Sequence, residues 1–380
     1  MVTVIGNGIG EYDFSKIDID LSLFDKIICD KNFKENGKNI LKFGFKEAKE
    51  YILKNHDKKN LAYIVTGSPL FFSAGTLIAK SVNHCKIIDN TSSFAYLLGK
   101  LSIPMQECIA VSLHGRKEID LEEFLKKRYT FVLCDQDTVK KLRNILYFVK
   151  DSIEVTLGYK LGFEDERIEK TDLYKDTFDR GKLHVLLIEK LFEEKLPVCD
   201  EDEFEKENGM ITKKYKRHLS LQNLDLFPNQ LLWDIGAGSG SCAIEAYKRY
   251  RVKTVLFEKN PLRAKMIEKN LKNHNVVDTK LLTGKAEELF EKETKRPDRI
   301  FIGGGGMEVI KKIGFLYRIL EKNGIILINI IALRHLSLMI DMLDKNDIKY
   351  EIFSLSLTTY KGKLDMANPQ RTLFQIRIEK

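Results

Sequence analysis

Leu231-Leu232-Trp233-Asp234-Ile235-Gly236-Ala237-Gly238-Ser239-Gly240-Ser241-Cys242 decides how this chain is read. An apolar run ends in an acid, a glycine-dense turn follows, and Ala243, Ile244, Ala246 and Tyr247 then recur at helical spacing. That is strand, tight loop, helix. Without a Cβ, Gly236, Gly238 and Gly240 let the backbone approach a ligand closely, and the following helix points its first N–H groups at the same place. A dinucleotide fingerprint G-x-G-x-x-G would put its third glycine at position 241, which is Ser241. The glycines instead run G-x-G-x-G. A second apolar run, Thr254-Val255-Leu256-Phe257, ends in Glu258. A carboxylate at that strand tip can accept hydrogen bonds from both hydroxyls of a ribose. Loop, Asp234 and Glu258 together describe a pocket for S-adenosylmethionine (SAM), against the plainer alternative of a glycine turn beside a surface acid.

The rest of the chain fixes the setting. Its 380 residues hold material for two to three domains. No apolar run reaches the roughly 18–20 residues that span a bilayer. The N-terminus begins as a strand, Met1-Val2-Thr3-Val4-Ile5-Gly6, so no signal peptide is expected. Six cysteines stand singly and seven histidines make no H-x-x-x-H, which predicts a reduced, cytoplasmic protein without a metal site. The net charge of +8 favours anionic partners without choosing among them.

Residues 1 to about 195 alternate strand and helix. Strands are expected at Val2–Ile5, Lys26–Cys29, Leu61–Val65, Cys85–Ile88, Cys108–Leu113, Thr130–Cys134, Ile153–Gly158 and Leu183–Ile188. Helices are expected at Phe45–His56, Phe71–Lys80, Phe94–Leu101 (capped by Thr91-Ser92-Ser93), near Leu121–Lys127, and at Thr138–Val149. The charge run 199–209 is expected to be a linker or exposed entry segment, dividing domains at 1–198 and 199–380. Beyond it the pattern is α/β and doubly wound, with helix Pro261–Asn273 and strands Thr279–Leu282, Arg299–Ile302, Ile325–Ile328, Tyr350–Leu357 and Leu373–Ile378. Gly236–Gly240, Glu258, Lys285-Ala286, Gly303–Gly306 and Asn329 all fall at the carboxyl edge of the strands, where open sheets of this kind bind ligands.

Two resemblances now join these segments. Residues 199–380 resemble the decarboxylating C15-methyltransferase of cobalamin biosynthesis. The resemblance is carried by Met210-Ile211-Thr212-Lys213, Trp233–Gly240, Glu258-Lys259-Asn260-Pro261, Ile302-Gly303-Gly304-Gly305-Gly306 and Asn368-Pro369. Residues 1–195 resemble the C5-methyltransferase of the same pathway, a two-lobed tetrapyrrole methylase. Its carriers are Thr3–Gly8, Thr66-Gly67-Ser68-Pro69-Leu70-Phe71-Phe72, Thr91–Ala95 and Val111-Ser112-Leu113-His114-Gly115-Arg116. The two activities are known fused in this order. The pattern departs at Ser68, where the family carries an acid, and at Lys285, where the C-terminal family often does.

The resemblance implies a SAM-dependent enzyme that methylates a precorrin, with or without cobalt, at C5 and C15 and removes the ring-C acetate carboxylate. On this reading Gly236, Ala237, Gly238, Ser239 and Gly240 hold the methionine and ribose part of SAM, Glu258 the diol, Ala286 the adenine, and Thr212 closes over it. Gly6, Gly8, Thr66, Gly67, Ser68, Ser92 and Ser93 surround a second SAM in the N-terminal half. The acetate and propionate arms of a tetrapyrrole call for basic residues. Arg116, Lys213, Arg217, Arg334 and Arg371 are candidates, with His114 and Asn329 as further substrate contacts and Lys214 as surface charge. No residue is singled out as catalytic. A homo-oligomer is expected, without nucleic-acid or membrane partners. The rivals are an RNA methyltransferase, disfavoured by the lack of any basic-aromatic platform, and a non-catalytic SAM- or tetrapyrrole-binding protein.

Overall fold

The computed structural model describes residues 1–113, 118–178, 184–193, 199–304, 306–361 and 366–380. The chain forms two compact units. One comprises Met1–Ile119, Glu123–Lys140 and Glu154–Leu191, the other Asp120–Glu122, Lys141–Ile153 and Phe192–Lys380.

The first unit holds two five-stranded sheets. In one, Ile40–Lys42, Lys26–Cys29, Leu61–Val65, Val2–Gly6 and Cys85–Ile88 lie side by side, all parallel. The alternation of a strand explains its two cores. Val2 and Val4 pack with Ala48, Ile52 and Ile78 on one face, and Ile5 packs with Phe24, Phe33 and Ile64 on the other. The second sheet runs Cys108–Ser112, Tyr129–Leu133, His184–Lys190, Ile153–Tyr159, Arg167–Thr171.

Two helical expectations are corrected in this unit. The helix expected from Phe71 begins only at Ala74, because Phe72 adopts a left-handed backbone (φ 44°) and the Ser73 side chain caps Gly75 N–H at 3.1 Å. The helix expected near Leu121–Lys127 is a series of turns: Leu125 has φ 57°, and its N–H donates to Thr130 Oγ1 instead of a helical carbonyl.

In the second unit a seven-stranded sheet has the order Thr279–Thr283, Lys253–Glu258, Leu231–Ile235, Arg299–Ile302, Ile325–Ile330, Leu373–Glu379, Glu351–Leu355. The first five strands are parallel, Leu373–Glu379 runs antiparallel to them, and Glu351–Leu355, antiparallel to Leu373–Glu379, points the same way as the first five. Leu231, Trp233 and Ile235 face a core with Phe257, Phe290, Ile313 and Leu316, while Leu232 faces Leu221, Ala246, Phe301 and Leu327. Burial on both faces is why the strand reads as a continuous apolar run. Strand order reverses between Leu231–Ile235 and Arg299–Ile302, the point at which open sheets of this kind form a crevice at the carboxyl ends of their strands.

The charge run beginning at Cys199 is not an exposed linker. Cys199 and Phe204 are buried, Phe204 stacks on His274, and Glu205 N–H donates to Asn270 Oδ1 at 2.8 Å. Five of its six acids meet a cation: Asp200 pairs with Lys214, Glu201 with Lys213, Asp202 with Lys206, Glu205 with Lys269 and Glu207 with Arg263. A charge run orders when the fold supplies opposite charges at matching positions, which composition cannot reveal.

Candidate functional site

The glycine loop is held by its neighbours' backbones. Gly236 and Ala237 both donate to Phe257 O, at 3.0 and 3.1 Å, and Gly303 donates to Ile235 O at 3.1 Å. Gly236 has φ 73°, and a Cβ there would lie 2.7 Å from Gly304 Cα. The two strand-end loops therefore touch backbone to backbone, which only glycine permits. Gly240 starts the helix Ser241–Tyr250 and backs onto Ile267 and Leu256, outside the cavity wall.

Two acids flank the loop. Glu258 is buried, and its carboxylate accepts Gly238 N–H through Oε2 and Asn260 N–H through Oε1, both at 2.9 Å. Asp234 is buried as well; burial pushes its carboxyl up to about 7, with the Glu258 charge adding to the rise and the Ala243 N–H opposing it. Its Oδ2 has no hydrogen-bond partner among the described residues. Both acids line a cavity of about 750 Å³, of the size that encloses a cofactor.

Of the predicted residues, Thr212, Lys213, Gly236, Ala237, Gly238, Ser239, Glu258, Ala286 and Asn329 line this cavity. Arg217 does not, and its assignment to substrate is corrected. It is fully buried, bonded to Glu245 at 2.5 Å and donating to Thr212 O and Cys199 O at 2.6 Å each. Every face of its guanidinium is committed inside the protein, so it fixes the segment that carries Thr212. Arg334 and Arg371 are exposed and absent from the wall. Asn329 is committed too: its amide donates to Ser220 Oγ at 3.0 Å and accepts from Gln375 at 2.9 Å. The basic residues that do reach the wall, besides Lys213, are Lys216, Lys259, Arg263 and Lys285. Lys216 donates to Arg371 O at 2.6 Å, and partial burial lowers its pKa. Lys216 was legible only as the position after Tyr215 in a short polar helix, a pattern shared by many surface helices.

In the first unit a cavity of about 970 Å³ is lined by Gly8, Thr66, Gly67, Ser68, Ser92 and Ser93. Gly6 is not on its wall; it lies where a Cβ would meet Gly67 O and Pro69 Cδ at 2.7 Å. Ser68, standing where an acid was expected, donates to Asp89 Oδ1 at 2.5 Å. Ser92 caps its helix by accepting Ala95 N–H at 3.1 Å. Tyr12, Asp30, Tyr63, Asp135 and Asp137 also line it without having been signalled by any motif. His114 and Arg116 lie outside the described residues.

Comparison with known proteins gives this geometry its family. The model described as "Precorrin methyltransferase domain" matches residues 202–380, and "Tetrapyrrole (Corrin/Porphyrin) Methylases" matches residues 18–175. A probable cobalt-precorrin-6B C(15)-methyltransferase (decarboxylating) of Pyrobaculum aerophilum is 32% identical over 160 residues, covering 41% of this chain and 81% of that protein. The chain belongs to the precorrin methyltransferases. Another member of the family, the precorrin-6Y C(5,15)-methyltransferase [decarboxylating] of a Sinorhizobium species, is 29% identical over 259 residues, covering 64% of this chain and 62% of that enzyme. A crystal structure of the Geobacter metallireducens precorrin-6Y C5,15-methyltransferase is 29% identical and covers 49% of this chain and 98% of that chain, with a TM-score of 0.46.

Methyltransferases of this family take their methyl group from SAM. The residues of the second unit's cavity fit such a group. Asp234 offers a buried carboxylate oxygen with no partner to a cationic ligand, and Glu258 retains lone pairs beyond the two its backbone donors use. Among the described residues no helix is long and apolar enough to cross a membrane.

Proposed function

We propose that residues 199–380 methylate a precorrin, with or without cobalt, at C15 and release the ring-C acetate carboxylate as CO2, and that residues 1–198 methylate C5. The observation that carries the reading is the pairing at one crevice of a backbone-anchored acid, Glu258, with a desolvated acid, Asp234, beneath a rim of lysines. SAM supplies an electrophilic methyl group whose thioether leaving group needs no proton. Gly236, Ala237, Gly238 and Ser239 hold its methionine and ribose part, Glu258 its ribose diol, and the backbone at Ala286 its adenine. Asp234 compensates its positive charge. Thr212, on the segment that Arg217 fixes, covers it.

The acceptor's meso carbon is already nucleophilic, so the protein's task is alignment of two reactants rather than general base catalysis. Lys216, Lys259 and Lys285 sit on the wall where carboxylate arms need cations. CO2 loss can use the macrocycle itself as electron sink. In the first unit Gly8, Thr66, Gly67, Ser68, Ser92 and Ser93 hold a second SAM, in contact with cavity walls made of backbone and short side chains.

The test is incubation with methyl-labelled SAM and cobalt-precorrin-6B, counting methyl groups incorporated and CO2 released. Two methyl groups with one CO2 support both halves. One methyl group with CO2 removes the C5 activity from the proposal, and neither product removes both.

A further inference from the structure

Away from both cavities, the fold gathers three metal-ligating side chains. Cys199 and His274 are buried and Glu203 is exposed, and one ligand atom from each lies within 4.8 Å of the others. Two come from the entry segment, and the third follows the helix Pro261–Asn273, 71 positions further along the chain. No spacing motif announces them, because tertiary packing alone brings them together.

The histidine ring is held in place. Its Nε2 lies 3.2 Å from the Glu203 carbonyl oxygen. The tautomer that donates there carries its lone pair on Nδ1. A histidine fixed by a backbone carbonyl through one nitrogen, with the other directed at the ion, is the usual arrangement around bound metals. Phe204 stacks on the same ring at 4.7 Å and restrains its rotation. Glu203 already accepts Asp200 N–H through Oε1, which leaves Oε2 to serve an ion. Metal–ligand bonds of about 2.0–2.3 Å in a tetrahedron put ligand atoms about 3.4 Å apart, so binding draws the three atoms together from within 4.8 Å.

We propose that Cys199, Glu203 and His274 bind one borderline-soft divalent cation, of which zinc is the best match, with the fourth position open to water. Thiolate plus imidazole plus carboxylate is a zinc donor set and a poor one for magnesium or calcium. The site is a clamp, not part of either transfer reaction. It ties the entry segment to the helix whose Asn270 donates to Ser239 O of the glycine loop at 2.8 Å. The thiol gives up its proton to solvent on binding, so affinity rises with pH.

The test uses the full, tag-free, reduced chain after stripping by a chelator. Zinc is titrated against a competing chromophoric chelator, and cobalt(II) is added separately as a spectroscopic probe. The expected result is one zinc per chain and a thiolate-to-cobalt charge-transfer band. Cys199→Ser and His274→Phe (which keeps the ring stack) each weaken zinc by roughly tenfold or more. Glu203→Gln, at an exposed position whose amide oxygen can still accept from Asp200, provides a variant that keeps the fold and also binds zinc more weakly. The assignment is overturned if the wild type holds no more zinc than the Cys199→Ser/His274→Phe double variant, if cobalt gives no sulfur band, or if Glu203→Gln leaves zinc affinity unchanged.

Discussion

Replacing Glu258 by glutamine separates its two proposed duties. Its carboxylate accepts two backbone N–H groups at 2.9 Å, from Gly238 and Asn260, inside a buried site. A glutamine offers one oxygen, so its NH2 group must face one of those donors. One charge-assisted bond is lost and the other becomes neutral, which costs about 2 kcal/mol of stability. Alanine removes both acceptors and costs about 3–4 kcal/mol, since neither donor is easily reached by water. The second duty is to the cofactor. If both ribose hydroxyls donate to this carboxylate, glutamine forfeits about 2–3 kcal/mol of binding, a rise of about 30- to 150-fold in Kd. Calorimetric titration with S-adenosylhomocysteine measures it, and thermal unfolding reports the stability term independently. An analogue lacking both ribose hydroxyls completes the cycle, because the wild type should lose its advantage over Glu258→Gln with that ligand. A Kd within twofold of wild type refutes the assignment. So does an equal loss with the hydroxyl-free analogue, which would show that Glu258 acts only by holding the loop.

Four further outcomes are expected. Asp234 holds a proton in the folded state up to about pH 7 that the unfolded chain releases near its ordinary value. Its contribution therefore makes stability fall as pH rises from about 4 to 7 and then level off, by about 4 kcal/mol in all; Asp234→Asn should remove that slope in urea titrations across pH. The same proton must leave before a cationic ligand is paired, so S-adenosylmethionine, whose sulfonium carries that charge, should bind more tightly at pH 8 than at pH 6 in the wild type and evenly in Asp234→Asn. Arg217→Met strands the fully buried Glu245 with only His218 and Arg249 beside it. A loss of about 3–5 kcal/mol is expected by chemical denaturation, largely recovered in Arg217→Met/Glu245→Leu. Gly236→Ala meets the Gly304 backbone at 2.7 Å from a left-handed φ, and should lower cofactor affinity at least about tenfold while costing about 2–4 kcal/mol; unchanged binding would show that the two strand-end loops need not touch.

The local code was legible wherever a residue acts through its own backbone or its immediate neighbours. The glycine loop, the strand tips at Asp234 and Glu258, the Ser92 cap and the helix from Pro261 follow from short-range sterics and period, and the structure has them at those positions. Leu333–Lys345 escaped because it lacks a side-chain cap and follows directly on the apolar strand Ile325–Ile330. Which charges face ligand was another matter. Arg217, Arg334, Arg371 and Lys216 are equivalent as letters. Packing buries the first against Glu245, leaves the next two outside the wall, and brings the last onto it.

By itself the sequence determined the α/β class, the carboxyl-edge crevice and the acids that flank its loop, because each rests on backbone geometry within a few residues. Only the tertiary structure decided which cations are spent inside the protein, how the charged entry segment is tied down, and that Cys199, Glu203 and His274 meet. Those outcomes depend on contacts between residues far apart in the chain, where the Coulomb and desolvation terms are set by distance and burial rather than by residue type.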